Sequence, residues 1–249
     1  MFIGMGMPIP DLSNLPGPSR PGGGGGAFEY TAIDNSFSME FDGAASYYNI
    51  GNGISFNYND PFTISTWVNV DAVSGNKAIY NKYDSSISGG RGIALNLYSS
   101  SGSGINLIYF DLYSTNSGST STRKRITTRS TNNIVDHDIW YLLTVTYDGS
   151  GLGSGIKMYL NGVSQAVTVT QDNLQSGDIT NSLNAHVGAT ATPSSFFNGT
   201  MDEYAIWSLA LSEETIQAIY DATANNPGKV ADLSETPEGQ PTAWYRMGD

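Results

Sequence analysis

The chain of 249 residues contains no cysteine and only two histidines. The absence of cysteine excludes disulfide bonds, thiolate metal sites and cysteine nucleophiles. A domain of about 200 residues buries roughly 70% of the surface that its unfolded chain exposes, so it does not need covalent cross-links to fold. The two histidines, His137 and His186, leave few candidates for imidazole-based catalysis.

Basic residues are also scarce, because 11 Lys and Arg stand against 23 Asp and Glu and give a net charge of −12. This balance argues against nucleic acid or an anionic membrane as the main partner, since phosphate groups attract a basic surface. No run of 18 apolar residues exists, so we expect no membrane span. The N-terminus lacks the basic and apolar regions of a signal peptide, which predicts synthesis in a cytoplasm without secretion.

Residues 1–26 differ in composition from the rest of the chain. They hold five of the ten prolines and the glycine run Gly22–Gly26. Proline interrupts helices and sheet ladders, and a glycine run is flexible, so this segment is expected to be an extended arm. Its first ten residues, MFIGMGMPIP, are more apolar than a solvated tail, which favours docking into another protein. A disordered terminus without a role is the alternative.

The rest of the chain shows the period-two patterns of β-strands, in segments such as FTISTWVNV (62–70) and INLIYFDLY (105–113). Asn161 and Gly162 are the residue pair that a two-residue hairpin turn favours. One helix is predicted over 212–223, with Ser212 as its N-cap and an apolar stripe of Ile216, Ile219 and Tyr220. Twenty-nine glycines and many Ser, Thr and Asn residues fit the loops of an all-β protein.

Three segments in order carry a family resemblance: FTISTWVNV (62–70), IWYLLTVTYDGSGLGSGIKMYLNGV (139–163) and FNGTMDEYAIWSLALSEETIQAIY (197–220). Together they resemble the laminin G-like domain of the concanavalin A-like lectin/glucanase fold. The resemblance implies an all-β fold, an antiparallel two-sheet jelly-roll sandwich with one short C-terminal helix, preceded in this chain by an extended N-terminal arm. We predict an arm (1–26), a jelly-roll domain (27–225) and a tail (226–249), in which TAWYRMGD (242–249) is either a closing strand or a remnant.

The arm is similar to the N-terminal arms of virion structural proteins from marine tailed phages. The sequence therefore predicts a non-catalytic virion protein, a capsid decoration or a tail or fibre component, made in the host cytoplasm. Residues 1–26 would bind other virion structural proteins, and the chain would act as a homo-oligomer or in many copies. Its jelly roll would bind host-surface glycans. A secreted lectin module and a polysaccharide-degrading enzyme are the alternatives.

Catalytic groups are not evident. Glu40 and Asp42 are the nearest fit to the pair of carboxylates that a glycosidase needs, but the acidic repeat of related glucanases is missing. Neither histidine lies near a Gly-x-Ser-x-Gly nucleophile motif. We therefore expect that the protein is not an enzyme.

A calcium ion is implied by the resemblance, because many relatives hold one Ca²⁺ between the first and last strands of the sandwich. Asp42 and Asp202 match those places, and carboxylates are ligands that Ca²⁺ prefers. The alternative is that Asp42 caps a turn and Asp202 accepts hydrogen bonds from the backbone.

Tyr47, Tyr48 and Tyr58 lie among asparagines and are predicted to form a sugar-binding platform, although tyrosines also line the edges of β-sandwiches. The basic segment TRKRITTR (122–129) is interpreted as a solvated edge strand, with a site for an anionic sugar or a lipopolysaccharide phosphate as the alternative.

Overall fold

The computed structural model describes residues 28–71, 75–85, 90–99, 107–114, 124–131, 136–174 and 177–247. The arm of residues 1–26 lies outside the described residues, so its predicted role stays a prediction. The described residues form sixteen strands and one α-helix. They include no helix long and apolar enough to cross a bilayer.

In chain order, the first eight strands are β1 (Ala32–Asp34), β2 (Met39–Asp42), β3 (Tyr48–Gly51), β4 (Phe62–Val70), β5 (Gly75–Asp84), β6 (Arg91–Ser99), β7 (Leu107–Ser114) and β8 (Lys124–Ser130). The next eight are β9 (Trp140–Tyr147), β10 (Ile156–Leu160), β11 (Val163–Gln165), β12 (Val167–Asp172), β13 (Ala185–Val187), β14 (Asn198–Trp207), β15 (Lys229–Ala231) and β16 (Ala243–Tyr245).

Two antiparallel sheets of seven strands each form the sandwich. Sheet 1 has the order β11-β10-β9-β4-β14-β16, and β2 also pairs with β14. Sheet 2 has the order β12-β8-β7-β6-β5-β13-β3. A separate two-stranded ribbon joins β1 to β15. The predicted all-β, two-sheet jelly-roll fold is confirmed.

The core lies between the two sheets because side chains alternate along each strand. In sheet 1, Ile64 and Val68 of β4 are fully buried, and in sheet 2 Leu95 of β6 and Phe110 of β7 are fully buried. All four belong to one continuous apolar cluster. Every second residue of the same strands therefore points away from the core, and on β6 and β7 these residues line the outer face of sheet 2.

Strand β14 pairs with three strands of sheet 1. Its first half pairs with β2 and its second half with β16, while β4 runs along its other side across an irregularity between Asp202 and Ala205. Glu203 lies in that irregularity with a positive φ of 49°. Its carboxylate accepts hydrogen bonds from the indole of Trp244 and the guanidinium of Arg246, at 2.5 and 3.2 Å. The C-terminal segment thus supplies β16, an edge strand of sheet 1 that is held against β14.

The predicted helix is confirmed as α1 (Glu213–Ala224). The Ser212 hydroxyl accepts a hydrogen bond from the backbone N–H of Thr215 at 3.2 Å, as an N-cap residue does. The Ile216, Ile219 and Tyr220 side chains are buried, and they pack in a second apolar cluster that includes Trp67 of sheet 1. The helix therefore covers the outer face of sheet 1 and leaves sheet 2 uncovered by any helix of the described residues.

Two further sequence predictions have opposite outcomes. Asn161 and Gly162 join β10 to β11 with φ values of 53° and 78°, so the predicted hairpin is confirmed. The edge position predicted for the basic segment is wrong. Its described part, β8, lies between β7 and β12, and β12 is the edge strand. Local sequence shows the charges of a strand but not which strand will pair beside it.

Candidate functional site

The structure does not bring Asp42 and Asp202 together. Asp42 pairs with Asn198 across β2 and β14, and Asp202 lies four residues farther along β14. At about 3.3 Å per residue, this offset separates the two positions by roughly 13 Å. The described residues also contain no group of three or more His, Asp or Glu placed to hold a metal ion. The register therefore does not form the predicted two-aspartate site, and calcium binding stays a prediction.

Both aspartates accept hydrogen bonds from neighbouring residues. Asp42 Oδ1 accepts hydrogen bonds from the backbone N–H groups of Ala44, Ala45 and Ser46 at 2.9, 2.8 and 2.9 Å. These bonds, the one from Ala45 first, hold the pKa of the exposed Asp42 well below its usual range. Asp202 is fully buried and accepts from the Asn35 amide and the Glu203 backbone N–H, both at 2.8 Å.

The histidines and Glu40 are dispersed in the structure. His137 Nδ1 lies 2.9 Å from the backbone oxygen of Asp71, and the buried His186 Nδ1 lies 2.9 Å from that of Thr190. Glu40 is exposed on β2, and its nearest acidic neighbour in sequence, Asp42, is held by the turn of residues 44–46. These contacts are those of residues that fix loops and turns.

The tyrosines predicted to bind sugar have three different partners. Tyr47 is 40% exposed and packs on His186 at 4.6 Å between ring centroids. Tyr48 lies at the open edge of the sandwich and meets Tyr245 edge-to-face at 5.6 Å. Tyr58 packs against the core, and its backbone oxygen accepts a hydrogen bond from the Tyr147 hydroxyl. They do not form one platform, and their role in binding stays a prediction.

A cleft on the outer face of sheet 2 brings together a different set of residues. Ile93, Leu95 and Leu97 of β6 point into the core, so the alternate residues of β6 point outward, and the same alternation holds on β7. The resulting cavity has a volume of about 270 Å³. It is lined by Asn76, Asn96, Tyr98, Tyr109, Asp111 and Tyr113. We call it the sheet 2 cleft.

Small residues on β6 account for the position of this cleft. Gly92 pairs with Tyr83 of β5 on one side and with Tyr113 of β7 on the other. Because Gly92 has no side chain, the two tyrosine rings approach each other to 4.4 Å between centroids. A Cβ atom on Gly92 would lie only 1.9 Å from the backbone oxygen of Lys82, so glycine is required there. Ala94, the next outward residue, leaves space beside Asp111.

Tyrosine rings form one side of the cleft. Tyr98 of β6 and Tyr109 of β7 meet nearly perpendicularly, at 5.7 Å between centroids with an interplanar angle of 72°. Tyr98 is 38% exposed, a large value for an aromatic ring in the middle of a sheet. An exposed aromatic surface beside polar groups is typical of sites that bind amphipathic ligands.

Two polar residues in the cleft each have one buried oxygen without a hydrogen-bond partner in the described part of the chain. Asn96 and Asp111 are only 6% and 7% exposed, and Oδ1 of each has no partner among the described residues. A buried polar atom without a partner costs about 1–3 kcal/mol, so a hydrogen-bonding ligand would be stabilised here.

Asp111 is the ionisable group of the cleft. Burial raises its pKa to about 6, although hydrogen bonds with the Thr127 and Tyr113 side chains and the charge of the Arg125 guanidinium oppose that rise. At neutral pH the Asp111 carboxylate is therefore ionised, although its buried position disfavours the charge. This site was not predicted from the sequence, although the sequence contains a signal for it. In NLY (96–98) and YFDLY (109–113) the outward positions carry Asn, Tyr and Asp, whereas a simply solvated sheet would carry Ser, Thr and Lys.

Asp111→Asn should stabilise the protein at alkaline pH. The ordinary pKa of 3.8 rises to about 6 in the fold, which corresponds to roughly 3 kcal/mol lost once pH exceeds both values. Because the folded pKa is raised, this loss is absent below pH 4 and grows between pH 4 and 6. We expect the Tm of the variant to exceed that of the wild type by several degrees at pH 8 and to match it at pH 3.5. Equal melting curves at pH 8 would contradict this account of Asp111.

The comparison with solved structures shows the same fold at low sequence identity. A putative carbohydrate binding protein from Bacteroides ovatus ATCC 8483 superposes with a TM-score of 0.52 at 19% identity, over 88% of this chain and 52% of that chain. A heptameric SAP-like pentraxin from Limulus polyphemus gives 0.52 at 13%, over 84% and 91%. The Ruminococcus gnavus IT-sialidase CBM40, bound to α2,3-sialyllactose, gives 0.50 at 14%, over 79% and 99%. The chain spans about half the length of the Bacteroides ovatus protein.

A family model gives the assignment. Curated protein sequences provide no match to this chain. Residues 42–217 match the model described as the concanavalin A-like lectin/glucanases superfamily. This range contains β4 to β14, and so includes most of both sheets and all the residues that line the sheet 2 cleft. Since the match covers well over half of the 249 residues, the chain belongs to the concanavalin A-like lectin/glucanase superfamily.

Proposed function

We propose that the protein is a non-catalytic carbohydrate-binding domain and that the sheet 2 cleft is its binding site. The observation that carries the proposal is the juxtaposition of the exposed Tyr98 ring with the unpartnered buried oxygens of Asn96 and Asp111. A sugar has an apolar face of C–H groups, which packs on an aromatic ring, and hydroxyl groups, which donate to buried acceptors. The cleft offers both kinds of contact within one cavity.

The size of the cleft fits a short segment of glycan. Its volume of about 270 Å³ is close to the lower limit of roughly 300 Å³ for small-ligand sites. Such a volume accommodates one or two sugar units. The Bacteroides ovatus putative carbohydrate binding protein and the sialyllactose-bound CBM40 support the proposal, because both have a similar fold.

The single carboxylate of the cleft supports binding without hydrolysis. A glycosidase of the usual kind needs two carboxyl groups about 5–9.5 Å apart around the scissile bond. Asp111 is the one carboxylate among the six residues that line the cleft. A single carboxylate can accept hydrogen bonds from hydroxyl groups, but it does not provide both the acid and the base or nucleophile.

Tyr98→Ala should weaken glycan binding at least tenfold, because it removes the exposed stacking ring, and tenfold corresponds to about 1.4 kcal/mol. Tyr47→Ala is the matched control, since Tyr47 and Tyr98 are 40% and 38% exposed and lie at different places on the protein. We would measure binding of both variants on a glycan array and then by calorimetry with the strongest array ligand.

Loss of binding in Tyr47→Ala with unchanged binding in Tyr98→Ala would move the site to the tyrosines predicted from sequence. Absence of binding to every glycan by the wild type would refute the proposed function itself.

The finer role that we propose is display of this domain on a virion, as a capsid decoration or a tail or fibre component, with residues 1–26 bound to other virion structural proteins. The proline and glycine content of this segment and its apolar first ten residues support an arm that takes its shape from a neighbouring subunit. Many copies on one particle would raise the avidity of a weak single site by roughly 10²–10⁴.

Deleting residues 1–26 should leave the melting temperature of the sandwich unchanged, because the described residues form a continuous apolar core between the two sheets. The same deletion should abolish incorporation into the virion, measured by the amount of protein that co-sediments with purified particles. Normal incorporation of the truncated chain would contradict the anchoring role.

A further inference from the structure

Three Asn-Gly pairs occur in the chain, at 52–53, 161–162 and 198–199. Asparagine followed by glycine can lose its side-chain amide without an enzyme, because glycine has no side chain to hinder attack by its backbone nitrogen. We infer that Asn52 is a site of spontaneous deamidation in the folded protein and that Lys82 directs the reaction toward isoaspartate. This inference is independent of the proposed function, since neither residue lines the sheet 2 cleft.

The reaction needs only the protein and water. The backbone nitrogen of Gly53 gives up its proton and bonds to Cγ of Asn52, while the side-chain nitrogen takes up a proton and leaves as ammonia. The product is a succinimide ring, and water then adds to one of its two carbonyl groups. Opening at Cγ gives aspartate in the original backbone. Opening at the backbone carbon gives isoaspartate, in which the chain continues through Cγ and the former backbone carbonyl group becomes a free carboxylate.

The loop after β3 leaves the first pair accessible. Asn52 and Gly53 are both exposed, and they lie outside the strands and the helix. A Cβ atom built on Gly53 would meet no atom within 4 Å, so the space beside its backbone is open. Ring closure requires the Asn52 side chain to turn toward the Gly53 nitrogen, and ring opening requires water. An exposed surface loop permits both steps.

The pair at 161–162 is held by its hairpin turn. Oδ1 of Asn161 accepts a hydrogen bond from the backbone N–H of Leu142 at 2.9 Å, and the Asn161 backbone N–H donates to the Leu142 oxygen at 2.8 Å. Gly162 is buried, and a Cβ atom on it would lie 2.7 Å from Oε1 of Gln217. The Asn161 side chain therefore cannot turn toward the next nitrogen without breaking a hydrogen bond in a crowded place.

The pair at 198–199 is held by sheet 1. Gly199 is buried and pairs with Phe41 of β2 and with Val70 of β4, so its backbone lies between two strands. A Cβ atom on Gly199 would lie 2.2 Å from the backbone oxygen of Asn69. Rotation of this part of the backbone would require β14 to separate from its neighbours, and core strands open far less often than surface loops.

Lys82 lies beside the carbonyl group that decides between the two products. Its ammonium group donates hydrogen bonds to the backbone oxygens of Asn52 and Ile54, at 3.1 and 2.6 Å. The Asn52 oxygen belongs to the ring carbonyl whose opening gives isoaspartate. A positively charged donor polarises that carbonyl toward attack by water and stabilises the carboxylate that forms there. Because Lys82 is only 4% exposed, solvent screens this interaction little.

The test follows all three pairs in the full chain by mass spectrometry of its peptides, after incubation for weeks at neutral pH. In the folded protein we expect Asn52 to react at least tenfold faster than Asn161 or Asn198, whereas in urea, where the fold protects no pair, the three rates should be similar. Equal rates in the folded protein, or a faster rate at Asn161 or Asn198, would overturn the inference.

Gly53→Ala is the matched variant for ring closure, because the open space beside Gly53 accepts a methyl group without disturbing the fold. It should slow deamidation of Asn52 about tenfold, since the methyl group hinders attack by the backbone nitrogen, and should leave the melting curve unchanged. An unchanged rate in this variant would contradict the succinimide route.

The choice of product is tested by the ratio of isoaspartate to aspartate at position 52, measured by isoaspartyl methyltransferase labelling. The ratio should be at least twofold higher in the folded wild type than in urea, because the Lys82 contact exists only in the fold. Lys82→Met should remove most of this excess. The ratio is the readout because a looser loop would change the rate of ring closure for both products together. Equal ratios in folded and unfolded wild type, or an unchanged ratio in Lys82→Met, would refute the role of Lys82.

Discussion

The strict alternation of side chains along β6 and β7 is the constraint on which both the core and the candidate site depend. Leu95 and Phe110 are fully buried between the sheets, and this fixes Asn96 and Asp111 on the opposite face, because a shift of one residue would exchange the two faces. The same strands thus hold the sandwich together and place acceptors outside it. A site built on central strands is rigid, since its residues cannot move without disturbing the core.

The cleft also has a cost in stability. Two buried oxygens have no partner among the described residues, and one of them belongs to the Asp111 carboxylate, whose pKa is raised to about 6; folding alone would not favour these features. Perturbed ionisable groups in a concave site are a general mark of function. The large apolar core tolerates this cost. The helix α1 packs on the outer face of sheet 1, so it does not cover the outer face of sheet 2, where the cleft lies.

Local features of the structure could be predicted from the sequence, and long-range pairing could not. The Ser212 cap and the Asn161-Gly162 turn depend on a few adjacent residues, so pattern and chemistry predicted both. The separation of Asp42 from Asp202 depends on the register of β2 against β14, which no local pattern contains. The interior position of β8 likewise depends on the pairing of β12 beside it.

The cleft required the same long-range information. Tyr98 and Asp111 lie on strands that sequence periodicity identified, but their proximity follows from the β6–β7 register and from the small residue Gly92 between two tyrosines. The presence of tyrosines near asparagines in the sequence did not locate the cleft. Tyr47 satisfies that criterion but contacts His186 outside the cleft.

NMR of the protein with ¹³C-labelled tyrosine rings tests the location of the site most directly. Signals would be assigned with single Tyr→Phe variants and followed during titration with glycans bound on the array. The account predicts that the ring signals of Tyr98 and Tyr109 shift with the ligand, while those of Tyr47 and Tyr58 do not. Shifts confined to Tyr47 and Tyr58, with Tyr98 and Tyr109 unchanged, would contradict it.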